Sequence, residues 1–316
     1  MPRPTVRPGP SSSGVVPMGP VDWGLLVLLS VIWGGSFFFG KIAIAEIPPL
    51  TMVLTRVAIG AVVVALIARL NGIHLPLDRR LLSQFVVIAL LSTVIPFSLI
   101  AWSQQHLPSG LSSILNAATP LFTVLVAQVF TRDEKLTAGR LIGVAVGFAG
   151  VAVMMGPALL GRLGGHELPA QLAAIGATVS YGFAAVYGRR FRGLPPLGVA
   201  MMQLICATVL LVPVAALFEQ PWRLPVPSPH VIGALIGLGA LSTGIAFVIY
   251  FRILGRNGAT NISLVTFLVP VSAILLGALV LGEALEAREI AGFALIALGL
   301  AAIDGRPAKM LFGRRA

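Results

Sequence analysis

The sequence predicts an all-α integral membrane protein: ten transmembrane helices, arranged as two inverted-topology five-helix repeats around a central cavity. Three observations lead there. Of 316 residues, 57% are hydrophobic and only 10% are charged, against roughly 25% charged in a typical soluble domain. The apolar residues come in runs of about 20, the length that crosses a hydrocarbon core of roughly 30 Å. The loops between the runs divide their basic residues very unequally between two sides.

The runs cover residues 22–44, 49–69, 82–104, 109–130, 138–156, 168–188, 196–218, 230–251, 258–281 and 287–304. Lipid offers the backbone no hydrogen bonds, so each run must pair its own N–H and C=O groups as a helix unless strands close a barrel. No alternating strand pattern is present. Sorting the loops alternately places 17 basic residues on the side of the two tails and four on the other (Lys41, Arg162, Arg223, Arg288), with Arg56 inside a span as the last of the 22. By the positive-inside rule both termini face the cytoplasm. A wrong span count would scramble the alternation.

Residues 1–21, rich in Pro, Ser and Gly, form a disordered cytoplasmic tail, and residues 305–316 a basic one. Residues 157–167 form an outer linker between residues 22–156 and 168–304. The first apolar run is too long for a cleavable signal peptide. The net charge of +11 lies in short loops as a topology signal and does not mark a nucleic-acid partner. Cys206 is the only cysteine, so no disulfide framework or cysteine metal site is available.

The halves repeat weakly at an offset of about 149 residues. Trp33-Gly34 and Gly40-Lys41 match Tyr181-Gly182 and Gly188-Arg189; Pro49-Leu50 matches Pro196-Leu197; Phe97 and Trp102 fall near Phe247 and Tyr250. The stretch from Pro120 through Glu134 to Gly143 and Gly150 runs parallel to Pro270, Glu283, Gly292 and Gly299. Five spans per half is an odd number, so the second copy enters the membrane from the opposite side. Many secondary transporters are built on such inverted repeats.

These residues resemble the drug/metabolite transporter superfamily, in particular its EamA-domain family. The resemblance rests on Trp33-Gly34-Gly35-Ser36-Phe37, Lys41, Pro48-Pro49 and Arg56, and on Thr119-Pro120-Leu121 leading to Glu134-Lys135-Leu136 and Gly139, Gly143, Gly147 and Gly150. The second copy answers with Val269-Pro270-Val271, Leu281-Gly282-Glu283 and Gly292. It departs in having Tyr181 for a tryptophan, and the first copy has Arg132-Asp133 before Glu134 where a small residue is usual. The resemblance implies ten helices around a central cavity and alternating-access movement of small metabolites, often export of amino acids or similar compounds across the bacterial inner membrane. It names no substrate.

An ionisable side chain within a span is costly and reads as functional. Arg56, about 10 Å along its helix from Pro49 at 1.5 Å per residue, suits a substrate carboxylate, a phosphate or a neighbouring carbonyl; snorkelling to the interface is the alternative. Candidate cavity residues are Trp33, Ser36, Phe37, Arg56, Phe97, Trp102, Asn116 and Thr119 in the first copy. The second copy offers Tyr181, Tyr187, Thr243, Phe247, Tyr250, Asn261 and Thr266. They give apolar walls with a few hydrogen-bonding groups, although each aromatic could equally face lipid. Pro120 and Pro270 free backbone carbonyls at matching places and are candidate hinges. The glycine ladder has small-xxx-small spacing and serves packing, within the fold or between protomers, which leaves a homo-oligomer open.

No Asp or Glu lies near the middle of a span, which favours uniport or exchange, or coupling through a group near a span end. A membrane-embedded enzyme acting on lipid would need clustered carboxylates or a nucleophile with a base, and no such cluster is evident. No catalytic residue, metal or cofactor is called for, and the absence of G-x-x-x-x-G-K-[ST] excludes ATP-driven transport by this chain alone. The expected partners are a small-molecule substrate and the bilayer.

Overall fold

The computed structural model describes residues 18–73, 75, 78–131, 138–159, 166–257, 259–262 and 264–304. Most of both expected tails, most of the linker and the Arg132–Leu136 motif, Glu134 included, lie outside the described residues. Among the described residues every regular element is helical. We number the helices α1 (Pro20–Ala43), α2 (Pro49–Leu70), α3 (Arg79–Gln104), α4 (Ser109–Phe130), α5 (Ala138–Leu159), α6 (Glu167–Phe191), α7 (Pro196–Phe218), α8 (Pro229–Asn257), α9 (Val265–Leu281) and α10 (Ala287–Asp304). Eight of these, α1–α8, are long and apolar enough to cross a membrane. α9 is apolar but has 17 residues, and α10 includes Arg288, Glu289 and Asp304 among its 18 residues.

Start signals in the sequence account for five of the helix beginnings. Pro stands in the first turn of α1, α2, α7 and α8, where its missing N–H would have been unpaired anyway. Asp78 caps α3 by accepting from Leu81 N at 2.6 Å, and Ser228 caps α8. Gly282, at φ +69°, ends α9 in the left-handed conformation. Gly282 N and Glu283 N both then donate to Gly277 O, the latter at 3.0 Å, which satisfies a carbonyl that the helix end would leave unpaired. α8 runs six residues past its expected end at residue 251, to Asn257.

Two irregularities recur in both halves. α3 and α8 each contain a π-helical stretch, Leu90–Val94 and Gly237–Ile245. α4 is broken at Ala117–Ala118 between Ser109–Asn116 and Thr119–Phe130, and a short helix, Ala259–Ile262, precedes α9. Pro120 therefore occupies the first turn of a new helix, whereas Pro270 lies inside α9.

Packing between the halves comes in exchanged pairs. α1 lies against α9 as α6 lies against α4; α3 meets α6 as α8 meets α1; α2 meets α7, and α5 meets α10. The motif glycines mark the crossings. A Cβ on Gly34 would stand 2.6 Å from Ser272 Cβ, and one on Gly182 3.1 Å from the Phe122 carbonyl carbon. The α5–α10 seam is tighter: a Cβ on Gly143 would stand 2.6 Å from Gly299 O and one on Gly150 2.6 Å from Gly292 O. The ladder thus packs within the fold, except for Gly139, which has nothing within 4 Å.

Three carboxylates in loops or at helix ends cap helices of the other half. Glu219 accepts from Leu50 N at 2.9 Å, Thr51 N at 2.6 Å and Thr51 Oγ1 at 2.8 Å, closing the start of α2. Glu283 takes Ser109 N at 2.8 Å and Ser109 Oγ at 2.6 Å at the start of α4. Glu46 takes Ser228 N and Ser228 Oγ, both at 2.7 Å, at the start of α8. Each satisfies N–H groups that a helix leaves unpaired and places negative charge at the positive end of its dipole. Lys41 does the converse, donating from Nζ to Gln104 O at 2.7 Å and Leu107 O at 2.9 Å at the end of α3.

The Glu46 cap gives a pH test. Its bonds from the Ser228 N–H and hydroxyl hold the carboxyl below its ordinary value of 4.5. A depressed folded-state pKa contributes stability above the unfolded value that is lost as pH falls through the folded one. The melting temperature of the purified protein should therefore decline from about pH 4.5 downward. Glu46→Gln should flatten that part of the profile; superimposable profiles would rule the cap out as a contributor.

Candidate functional site

Arg56 is the eighth residue of α2. Its Nε donates to Thr243 Oγ1 at 3.0 Å, and its guanidinium carbon lies 4.0 Å from the centre of the Phe97 ring. Tyr181 is within electrostatic reach of the same charge. Local packing fixes the geometry. Gly60, one turn after Arg56, lets α8 approach until a Cβ there would stand 2.6 Å from Thr243 Cγ2. The Thr243 hydroxyl spends its proton on Leu238 O at 3.0 Å, a bond that spans five residues of the π stretch. Its lone pair is thereby aimed at Arg56.

Among the described residues, the four N–H groups on the two Nη atoms of Arg56 have no hydrogen-bond partner and no carboxylate pairs with the guanidinium. The residue nevertheless keeps accessible surface. A guanidinium held by its Nε edge and by one face presents its remaining fork to a carboxylate or phosphate.

The second half holds a counterpart that the sequence reading missed. Gln203 is the eighth residue of α7, which begins Pro-Leu as α2 does. Its Nε2 donates to Thr93 Oγ1 at 2.9 Å, and Thr93 lies in the π stretch of α3 where Thr243 lies in that of α8. Arg56 and Gln203 meet the same helix one turn apart, at Phe97 and Thr93. The signal was available: the two Pro-Leu starts align Arg56 with Gln203. Serine bonds brace both π stretches, with Ser180 Oγ donating to Leu91 O at 2.7 Å and Ser242 Oγ to Ile32 O at 2.9 Å.

The structure gathers Arg56, Phe97, Tyr181 and Thr243 and sets the other candidates around or away from them. Trp33 and Tyr250 pair at 5.5 Å between ring centres, in the apolar cluster that Tyr181 also borders. Phe247 and Phe97 both pack against a second cluster. Ser36 and Phe37 are buried, Phe37 within the core. Trp102 stands apart, edge-on to His106 at 5.3 Å, and His106 stacks on His166 at 4.9 Å. Tyr187 lies under the Arg190 guanidinium at 4.6 Å. Asn116 and Thr119 flank the break in α4; Thr119 Oγ1 donates to Asn116 O at 2.7 Å, and Asn116 Oδ1 is buried without a partner. Asn261 donates from Nδ2 to Asn257 O at 2.9 Å, and Thr266 is half-buried on α9.

Two grooves open elsewhere. One, of about 660 Å³, runs between α2 and α7 past Leu66, Arg69 and Met201; the other, of about 540 Å³, is bordered by Phe130, Phe183 and Tyr187. Neither contains Arg56. Among the described residues the buried carboxylates, Asp22 and Glu289, lie in the first turns of α1 and α10. No group of three or more His, Cys, Asp or Glu suited to a metal ion occurs there.

A bundle of apolar helices, paired half against half, with a guanidinium inside it is the make-up of a multi-pass membrane protein. The chain belongs to the EamA-like transporter family, whose model matches residues 23–156 and again 168–303. It is 30% identical over 272 residues to the uncharacterized inner membrane transporter YedA of Escherichia coli (strain K12), covering 84% of this chain and 85% of that protein. It is 27% identical over 286 residues to a probable terminal-alkyne amino-acid exporter of Streptantibioticus cattleyicolor, covering 89% and 92%. A solved crystal structure superimposes with a TM-score of 0.62 at 21% identity, over 94% of this chain and all of that one. The relatives carry names of transporters and exporters, not of enzymes.

Proposed function

We propose that the chain exports small amino-acid-like metabolites across the bacterial inner membrane by alternating access, with Arg56 binding the substrate carboxylate. The guanidinium fork left unpaired beside Thr243 and Phe97 is the observation that carries this reading. The names of the amino-acid exporter and of a probable amino-acid metabolite efflux pump of Salmonella typhimurium point the same way. In this reading all ten helices span the membrane, residues 22–156 and 168–304 form the inverted repeats, and both termini lie in the cytoplasm, as the loop charges favour. The exchanged packing of the halves supports two states of comparable energy. The π stretches, the interruption beside Pro120 and the backbone carbonyl freed by Pro270 inside α9 are the places where helices yield with least loss of backbone bonding.

Solute counterflow in proteoliposomes, with amino acids chosen by a thermal-shift screen, tests the proposal. Exchange flux of at least one carboxylate-bearing solute is expected. No stabilisation and no counterflow across amino acids and their analogues would overturn it. Thr243→Val should weaken binding of that solute about fivefold, in line with the roughly 1 kcal/mol net value of one hydrogen bond. Unchanged affinity would show that Thr243 does not position Arg56.

A further inference from the structure

The second groove has a chemistry of its own. It lies where α3, α4 and α6 meet, and its walls include Leu91, Phe130, Phe183, Val186 and Tyr187. Phe130 is 64% exposed and Phe183 38%, and their rings meet edge to face at 5.6 Å. In a membrane-spanning bundle these outward rings are bathed by acyl chains. At the rim stands the 3-10 turn Gly188–Phe191, which carries Arg189 and Arg190 where the apolar span stops.

That turn is anchored. Phe191 is buried and stacks on Phe85 of α3 at 5.0 Å, so the neighbouring Arg190 is presented from a fixed backbone. The exposed Arg190 guanidinium lies 4.6 Å from the centre of the Tyr187 ring. Among the described residues it has no ion-pair or hydrogen-bond partner. A stacked guanidinium keeps its in-plane N–H fork available, and that fork matches a phosphate.

An apolar trough facing lipid, ending at headgroup level in arginine, fits one class of ligand. We infer that this groove is a binding site for an anionic phospholipid, with an acyl chain along Phe130 and Phe183 and the phosphate at Arg190. Basic pockets between helices at the membrane surface recognise anionic headgroups in this way, at about 1 kcal/mol for each basic residue near the surface. The site is separate from Arg56, so it stands or falls independently of the transported solute.

Native mass spectrometry of the full-length protein in detergent, titrated with dioleoyl phosphatidylglycerol or dioleoyl phosphatidylcholine, tests it. Wild type should bind the anionic lipid preferentially. Arg190→Ala should cut that preference about fivefold, Phe130→Ala should weaken retention of either lipid, and Arg223→Ala, an exposed arginine in another loop, should change neither. Melting temperature without added lipid serves as the folding control, because Arg190 and Phe130 are both exposed. Equal binding of the two lipids by wild type, or an unaltered preference in Arg190→Ala, would overturn the proposal. So would lipid-independent dimers abolished by Phe130→Ala, which would make the groove a contact between copies.

Discussion

Arg56→Gln is expected to weaken binding of a carboxylate-bearing substrate by roughly 10- to 150-fold, the loss corresponding to a hydrogen bond to a charged group at about 1.5–3 kcal/mol. Glutamine can still reach Thr243 Oγ1, as Gln203 reaches Thr93 in the other half, so the packing of α2 on α8 should survive. The charge and the fork are lost. Arg56→Lys should fall between the two, because an ammonium supplies the charge without the planar pair of donors. Thermal-shift titration against the best solute of the screen reads all three proteins. Wild-type affinity in Arg56→Gln, with the fold intact, would make Arg56 a structural brace. A transported cation or neutral solute would remove its assigned partner.

The second large effect concerns the α5–α10 seam. Gly150→Val would put side-chain carbon where Gly292 O and Ile296 N now stand, 2.6 and 2.8 Å from an ideal Cβ. Backbone cannot turn aside as a flexible side chain does, so the helices must separate. Overpacking of this kind costs typically 1–3 kcal/mol and sometimes more, and close approach of small residues is a main source of helix association in lipid. The apparent melting temperature should drop by roughly 2–12 °C, taking about 2–4 °C per kcal/mol for a large domain. Gly139→Val is the matched control, since a Cβ there meets nothing within 4 Å. Equal melting temperatures for the two variants would mean that the seam adds little to stability.

The sequence shows apolar length and periodicity well and long-range contact poorly, and the particular residues divide along that line. The helices follow the apolar runs closely, because each run had to satisfy its own backbone. Gly143 and Gly147 could be read as packing residues from spacing alone. The break at Ala117–Ala118 was legible only as a hinge near Pro120; its exact place was not, since two alanines are themselves strong helix formers. The π stretches are equally hidden: a change from four-residue to five-residue hydrogen bonding leaves hydropathy untouched. Glu46, Glu219 and Glu283 looked like ordinary loop charges because their partners lie in other parts of the chain. Gln203 was overlooked because a neutral amide in an apolar run attracts no attention until its place in the helix is set beside that of Arg56. Trp102 and Tyr187 had the right chemistry for a cavity, and only their three-dimensional neighbours, His106 and Arg190, separate them from Arg56.

The carboxylate caps also bear on how the chain is made. Every one of the three joins the halves: Glu219 and Glu283, from the second, close α2 and α4 of the first, while Glu46 closes α8 in return, across 168 to 182 residues of sequence. During synthesis the first five helices emerge with two of their ends still open, and those ends wait for more than half the chain to follow. α8, by contrast, emerges to find its cap already waiting. A ribosome-arrested first half is thus an unfinished object, its final shape deferred until the second half arrives to complete it.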